Sequence, residues 1–71
     1  MLKKLQINCA WISISISIEP SDKILKIKQL IEELHGISPN AQRLYFFGEI
    51  LEDNNTIVHY DIQNESTIHL K

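Results

Sequence analysis

From position 11 to position 18 the chain runs Trp-Ile-Ser-Ile-Ser-Ile-Ser-Ile, isoleucine alternating with serine. Successive side chains of a strand point to opposite faces, so this run predicts a strand with one apolar and one polar face. Isoleucine, branched at Cβ, fits such a half-buried pleated surface. Pro20 ends the strand because it has no N–H to give to a ladder. A shorter alternation comes before it, with Leu5 and Ile7 inward and Lys4 and Gln6 outward. Between the two, Asn8-Cys9-Ala10 predicts a hairpin connection. No glycine lies in that connection, so Asn8 is expected to take the positive φ that a tight turn requires.

Beyond Pro20 the period changes. Ile24, Ile27, Ile31 and Leu34 are spaced three, four and three residues apart, which is one stripe of a helix. Lys23, Lys26, Glu32 and Glu33 fall off that stripe. Asp22 is the expected N-cap, and Gly36 is the expected left-handed stop. Ile37 then folds back on the last turn, and Pro39 confirms the exit.

Leu44–Phe47 predicts a third strand, ended by Gly48. Ile50-Leu51 is a short fourth piece, and Asp53-Asn54-Asn55 forms a turn or loop. Thr67–Leu70 is the last strand, with Ile68 and Leu70 on one face and His69 on the other. One helix lying on one face of a mixed sheet is a two-layer α+β arrangement.

With 71 residues, the chain predicts a single domain over residues 1–71. Its hydrophobic fraction of 44% is ample for a core. Lys and Arg number 7 against 9 Asp and Glu, a net charge of −2, so nothing attracts nucleic acid or an anionic membrane in general. The basic cluster of Lys3, Lys4, Lys23, Lys26 and Lys28 does not overturn that balance. No apolar run approaches the roughly 18 residues of a membrane span. Met1-Leu2-Lys3-Lys4 does not read as a signal peptide, and a lone cysteine forms no internal disulfide. The expected setting is cytoplasmic or nuclear.

Candidate chemistry adds little. His35, His59 and His69 are far apart, and none has a second ligand at helical or finger spacing. Cys9 lacks the His and Asn context of a thiol nucleophile. With Gly36 and Gly48 as the two glycines there is no phosphate loop. Glu32-Glu33 and Glu52-Asp53 read as solvated charge. The expectation is a chain that is not an enzyme and holds no cofactor, metal or small-molecule substrate.

Three stretches carry a resemblance: Glu19-Pro20-Ser21-Asp22, Ala41-Gln42-Arg43-Leu44, and Thr56 through Leu70. In that order and spacing they resemble the ubiquitin family, and Trp11 to Leu70 can be laid beside its pattern without a gap. The likeness extends to residues outside the core, among them Gly36, Pro39, Gly48, Glu52, Asp53, Tyr60, Gln63, Glu65, Ser66 and His69. The first ten residues match poorly, and the hairpin turn is one residue shorter than the family's.

The resemblance implies the β-grasp fold. It implies that the Tyr60 hydroxyl bonds to backbone near Glu52, and that Lys28 belongs to a buried structural ion pair. It also implies a recognition face made of Arg43, Tyr45, Phe47, Gly48, His69 and Lys71, with Ala10 or Trp11 near its edge. Tyr45 stands in place of an aliphatic residue, Phe47 of a small one and Lys71 of an apolar one. Aromatic side chains with a basic rim suit a protein interface, and Phe47 would obstruct a helix shaped for the family's usual surface. The alternative is that Phe47 or Tyr45 folds over the hairpin turn and fills a gap. His69, as a histidine, would make binding at this face depend on pH.

Two departures bear on function. The chain stops at Lys71, before the family's tail and its pair of glycines. Glu49 and Asn64 occupy positions where the family carries its best-known chain-forming lysines. The expectation is therefore a noncovalent protein-binding module, monomeric as an isolated domain and the N-terminal part of a larger protein of the ubiquitin–proteasome system. Its expected partners are proteasome subunits, ubiquitin ligases, chaperones or ubiquitin receptors, with no nucleic acid and no membrane. The alternatives are a covalent modifier whose glycine tail has been cut away and a stand-alone mimic of ubiquitin.

Overall fold

A computed structural model describes residues 1–10 and 12–71. In chain order the elements are β1 (Lys3–Cys9), β2 (Ile12–Ile18), the helix α1 (Ile24–His35), β3 (Leu44–Phe46), β4 (Glu49–Ile50) and β5 (Thr67–Leu70). Single 3-10 turns lie at Pro39–Ala41 and Val58–Tyr60. The strands form one sheet in the order β2-β1-β5-β3-β4. β1 and β5 are parallel and the other pairs antiparallel, so the sheet is mixed. This is the α+β β-grasp arrangement, one helix on one face of the sheet.

The alternation of the sequence decides which face is covered. In the hairpin, Leu5 pairs with Ile16 and Ile7 with Ile14, so inward residues stand opposite inward residues. Ile14, Ile16, Ile18, Leu44, Ile68 and Leu70 complete the buried face of the sheet, and Ile24, Ile27 and Ile31 of α1 close over it. Leu51, Ile57 and Ile62, from the loops, fill the remaining space.

Five local expectations are corrected. The positive φ of the hairpin belongs to Ala10, at 33°, while Asn8 lies within β1 opposite Ser13. Trp11, expected to begin the second strand and to lie near the edge of the recognition face, lies outside the described residues. The third strand stops one residue early, because Phe47 turns to a φ of 52° before Gly48 at 77°. The fourth strand is Glu49–Ile50; Leu51 lies beyond it, buried, with its N–H donating to the Leu44 carbonyl at 2.8 Å.

At the helix start, Lys23 is the cap residue and no side chain caps it. The Asp22 carboxylate instead accepts the Glu19 N–H at 3.0 Å. The first helical donors find backbone acceptors: Ile24 N–H bonds the Asn55 carbonyl at 2.9 Å and Leu25 N–H that of Asp53 at 3.1 Å. Orphan donors at a helix start need partners, and here the 53–55 turn supplies them. Gly36 does end the helix in the left-handed conformation, at φ 73°.

Leu34 was the expected fourth member of the stripe, yet its side chain is 61% exposed. At about 100° per residue, Leu34 stands roughly 80° from Ile24 on one side and Lys28 roughly 40° on the other. The buried face is centred on Ile24 and Ile31, and it takes in Lys28 rather than Leu34.

Candidate functional site

Register aligns one residue from each strand in a row across the sheet. Ser13 pairs with Asn8, Asn8 with His69, His69 with Tyr45, and Tyr45 with Ile50. Paired residues share a face. Their neighbours Ile7, Ile14, Ile68, Leu44 and Leu70 are buried on the helix side, so the row lies on the open side of the sheet.

The row divides into two chemistries. On the β2–β1 side it is polar: Ser13 Oγ lies 3.2 Å from Asn8 Oδ1, and Ser15 Oγ donates to Gln6 Oε1 at 3.1 Å. On the β5–β3 side it is aromatic and cationic. Arg43 and Lys71 exchange backbone bonds at 3.1 and 2.8 Å, which extends the β3–β5 ladder by one pair beyond Leu44 and Leu70. This holds the Lys71 side chain beside Tyr45, with Nζ 5.3 Å from the ring centroid, within reach of a cation–π attraction.

The turn after β3 supplies the apolar element. Phe46 packs against the core, whereas Phe47, with its backbone in the left-handed region, projects outward and is 91% exposed. The two rings meet edge to face with centroids 4.6 Å apart. Beside them opens a groove of about 360 Å³, lined by Phe46, Phe47, Gly48, Ser66, Thr67 and His69. The surface from Arg43 and Lys71 through Tyr45 and His69 to Phe47 and Gly48 is thus built by β3, β5 and the turn after β3. Phe47 does not fold into a gap. Tyr45 is half-buried, with Lys71 over its ring.

Sequence reasoning missed Ile50, which is 45% exposed and ends the row. Its signal was available in principle, because a strand antiparallel to β3 with Ile50 opposite Tyr45 must show both on one side. The two-residue length of β4 hid that alternation.

Other singled-out residues hold the fold. The Tyr60 hydroxyl accepts the Glu52 N–H at 2.8 Å and the Asn55 Nδ2 at 3.1 Å. Lys28 Nζ lies 2.6 Å from Asp53 Oδ1. Asn64 Oδ1 accepts the Lys4 N–H at 2.8 Å, so this side chain fastens the start of β1. Among the described residues, no cluster of three or more His, Cys, Asp or Glu side chains could hold a metal ion.

The sequence profile of the ubiquitin family matches residues 4–71. The ubiquitin-like protein NEDD8 of Dictyostelium discoideum is 44% identical over 57 residues, which span 80% of this chain and 74% of that protein. The NEDD8-like protein RUB1 of Saccharomyces cerevisiae is 37% identical over 57 residues, 80% of this chain and 74% of its own length. Similarity also extends to the ubiquitin domain-containing protein DSK2 of the same yeast, 34% identical over 55 residues that make up 78% of this chain and 15% of that protein.

Proposed function

Because this chain belongs to the ubiquitin family, we propose that it acts as a noncovalent, non-catalytic protein-binding module. In this reading it grips its partners with the β5–β3 half of the open sheet face. The observation that carries the proposal is Phe47, whose ring stands 91% exposed above a groove shared with His69. An aromatic ring left in water costs hydrophobic free energy that a partner would recover. Aromatic and arginine side chains are the usual anchors of protein interfaces, and Tyr45, Lys71 and Arg43 continue the same open face along β3 and β5.

The partners that fit are proteins of the ubiquitin–proteasome system in the cytoplasm or nucleus: proteasome subunits, ubiquitin ligases, chaperones or ubiquitin receptors. The matched stretch is 15% of DSK2, so the same domain does occur as part of a large protein. That supports a place within a longer chain. The face is tested by pull-down from lysate with the immobilised domain and its Phe47→Ala variant. Loss of the captured proteins at unchanged thermal stability is expected. Equal capture by both would remove Phe47 as the anchor.

A second reading, a covalent modifier, is favoured by a different observation: the matched stretch is 74% of NEDD8 and of RUB1, so the fold also makes up most of a small protein. A denaturing blot of source cells, with and without a broad isopeptidase, separates the two. A single band unchanged by the enzyme is expected of the module. A ladder that collapses would establish conjugation.

A further inference from the structure

β2 stands at the edge of the sheet, with β1 as its neighbour on one side. Among the described residues no strand pairs with its outer side. Edge strands are ordinarily protected by charge, proline, a bulge or shortness. β2 has none of these. Its seven residues are uncharged, contain no proline or glycine, and pair one to one with β1 from Ile12 to Ile18.

The strand is also a palindrome. Ile-Ser-Ile-Ser-Ile-Ser-Ile reads the same in either direction about Ser15, and the palindrome begins and ends with the strand itself. We propose that β2 is a self-complementary docking edge, through which two copies of this chain join antiparallel about a two-fold axis at Ser15.

In that register Ile12 meets Ile18, Ser13 meets Ser17, Ile14 meets Ile16, and Ser15 meets its own copy. Opposed residues of an antiparallel pair share a face. The isoleucines of both copies therefore lie on the helix side and the serines of both on the open side. A slip of one residue would set one copy's isoleucine face level with the other's serine face. The contact is isologous, the same patch on both partners, as a two-fold axis requires. No like charges meet, because the strand bears none.

The assembly closes at two copies. The opposite edge, β4, is two residues long and includes Glu49, too short to template another strand. The joined sheet would hold ten strands with β4 at each margin. A single strand pair buries far less than the roughly 1,600 Å² of a standard stable complex. The association is accordingly weak and concentration-dependent, and the monomer expected of the isolated domain is its dilute form. β1 separates the joint from β5, so the Phe47 face stays free and the two proposals stand independently.

Sedimentation velocity and amide NMR on the domain, run from micromolar to millimolar concentration, test this. The average mass should climb from 8.2 kDa towards twice that value, with concentration-dependent shifts concentrated in residues 12–18. The exposed Ser15 tolerates change without loss of core, which a thermal melt verifies. S15K and S15E should each weaken the dimer by roughly tenfold or more, because each sets like charges directly opposite across the axis. Mixing S15K with S15E should restore a mixed dimer, since lysine then faces glutamate. A wild-type domain still monomeric at millimolar concentration would overturn the proposal, as would undiminished dimerisation of S15K. Failure of the mixture to associate would overturn the register centred on Ser15, and growth beyond two copies would overturn the closed assembly.

Discussion

Lys28 and Asp53 join the helix to the turn that caps it: the ammonium lies 2.6 Å from the carboxylate, with the two side chains 10% and 46% exposed. Asp53 also accepts the Leu25 N–H through its carbonyl, so one residue holds the helix start twice. Removing the acid leaves a nearly buried cation without its counter-ion. Fully buried pairs lose about 3–5 kcal/mol when broken that way. The half-exposed carboxylate reduces this, and Asp53→Asn is expected to cost about 1–2 kcal/mol. In a domain of this size each kcal/mol lowers the Tm by roughly 4–8 °C. Lys28→Met, which keeps the buried stem and discards the charge, should be close to neutral, and combining it with Asp53→Asn should recover most of the loss. Urea unfolding of the three variants measures both effects.

Tyr60→Phe removes one oxygen that serves two donors, the Glu52 N–H and the Asn55 amide. Both can turn partly to water, so a loss of about 1–2 kcal/mol is expected. Amide exchange should show the loosening first at Glu52 and Asn55, ahead of the sheet. Uniform exchange across the domain would count against a local tie.

The corrected helix face separates two isoleucine-to-leucine neighbours in the stripe. Ile31 is fully buried and Leu34 is 61% exposed. Ile31→Ala should cost about 2–4 kcal/mol through lost burial and a cavity. Leu34→Ala should stay within about 0.5 kcal/mol. Chemical denaturation of the two variants distinguishes a helix seated on Ile24 and Ile31 from one seated on the whole stripe.

Phe47→Ala should leave stability within about 0.5 kcal/mol of the parent, because the ring is exposed. The same change should weaken binding of any protein captured by this face by roughly tenfold or more, the effect of losing a hot-spot anchor. Calorimetric titration of a captured partner, together with a thermal melt, reads the two quantities separately.

The alternation in Ile12–Ile18 and the glycine stop at Gly36 were legible because each depends on neighbours in sequence. The helix start was not. Asp22 has the right chemistry for a cap, but its carboxylate serves Glu19, and the work falls to the carbonyls of Asp53 and Asn55, some thirty residues on. Leu34 misled for a related reason: spacing identifies a stripe, and only the sheet beneath it decides how the stripe is rotated. Ala10 took the turn conformation expected of Asn8 because pairing of Asn8 with both Ser13 and His69 holds it in the ladder. Of the proposed binding face, the residues could be named from the resemblance, but the exposure of Phe47 depends on a backbone φ of 52° that no pattern of apolar and polar positions encodes.

β5 lies between β1 and β3, and it is the last strand in the chain. The sheet therefore has no middle until residues 67–70 arrive. Before that, the chain can form the β1–β2 hairpin and the short β3–β4 pair, and no strand pairing joins them. Bringing Gln6 beside Thr67 closes a loop over most of the chain, an entropic cost that falls before its reward. Folding is thus expected to be a single late event, slow for so small a domain, and until it occurs the Ile-rich hairpin stands uncovered, its isoleucines open to any passing chain.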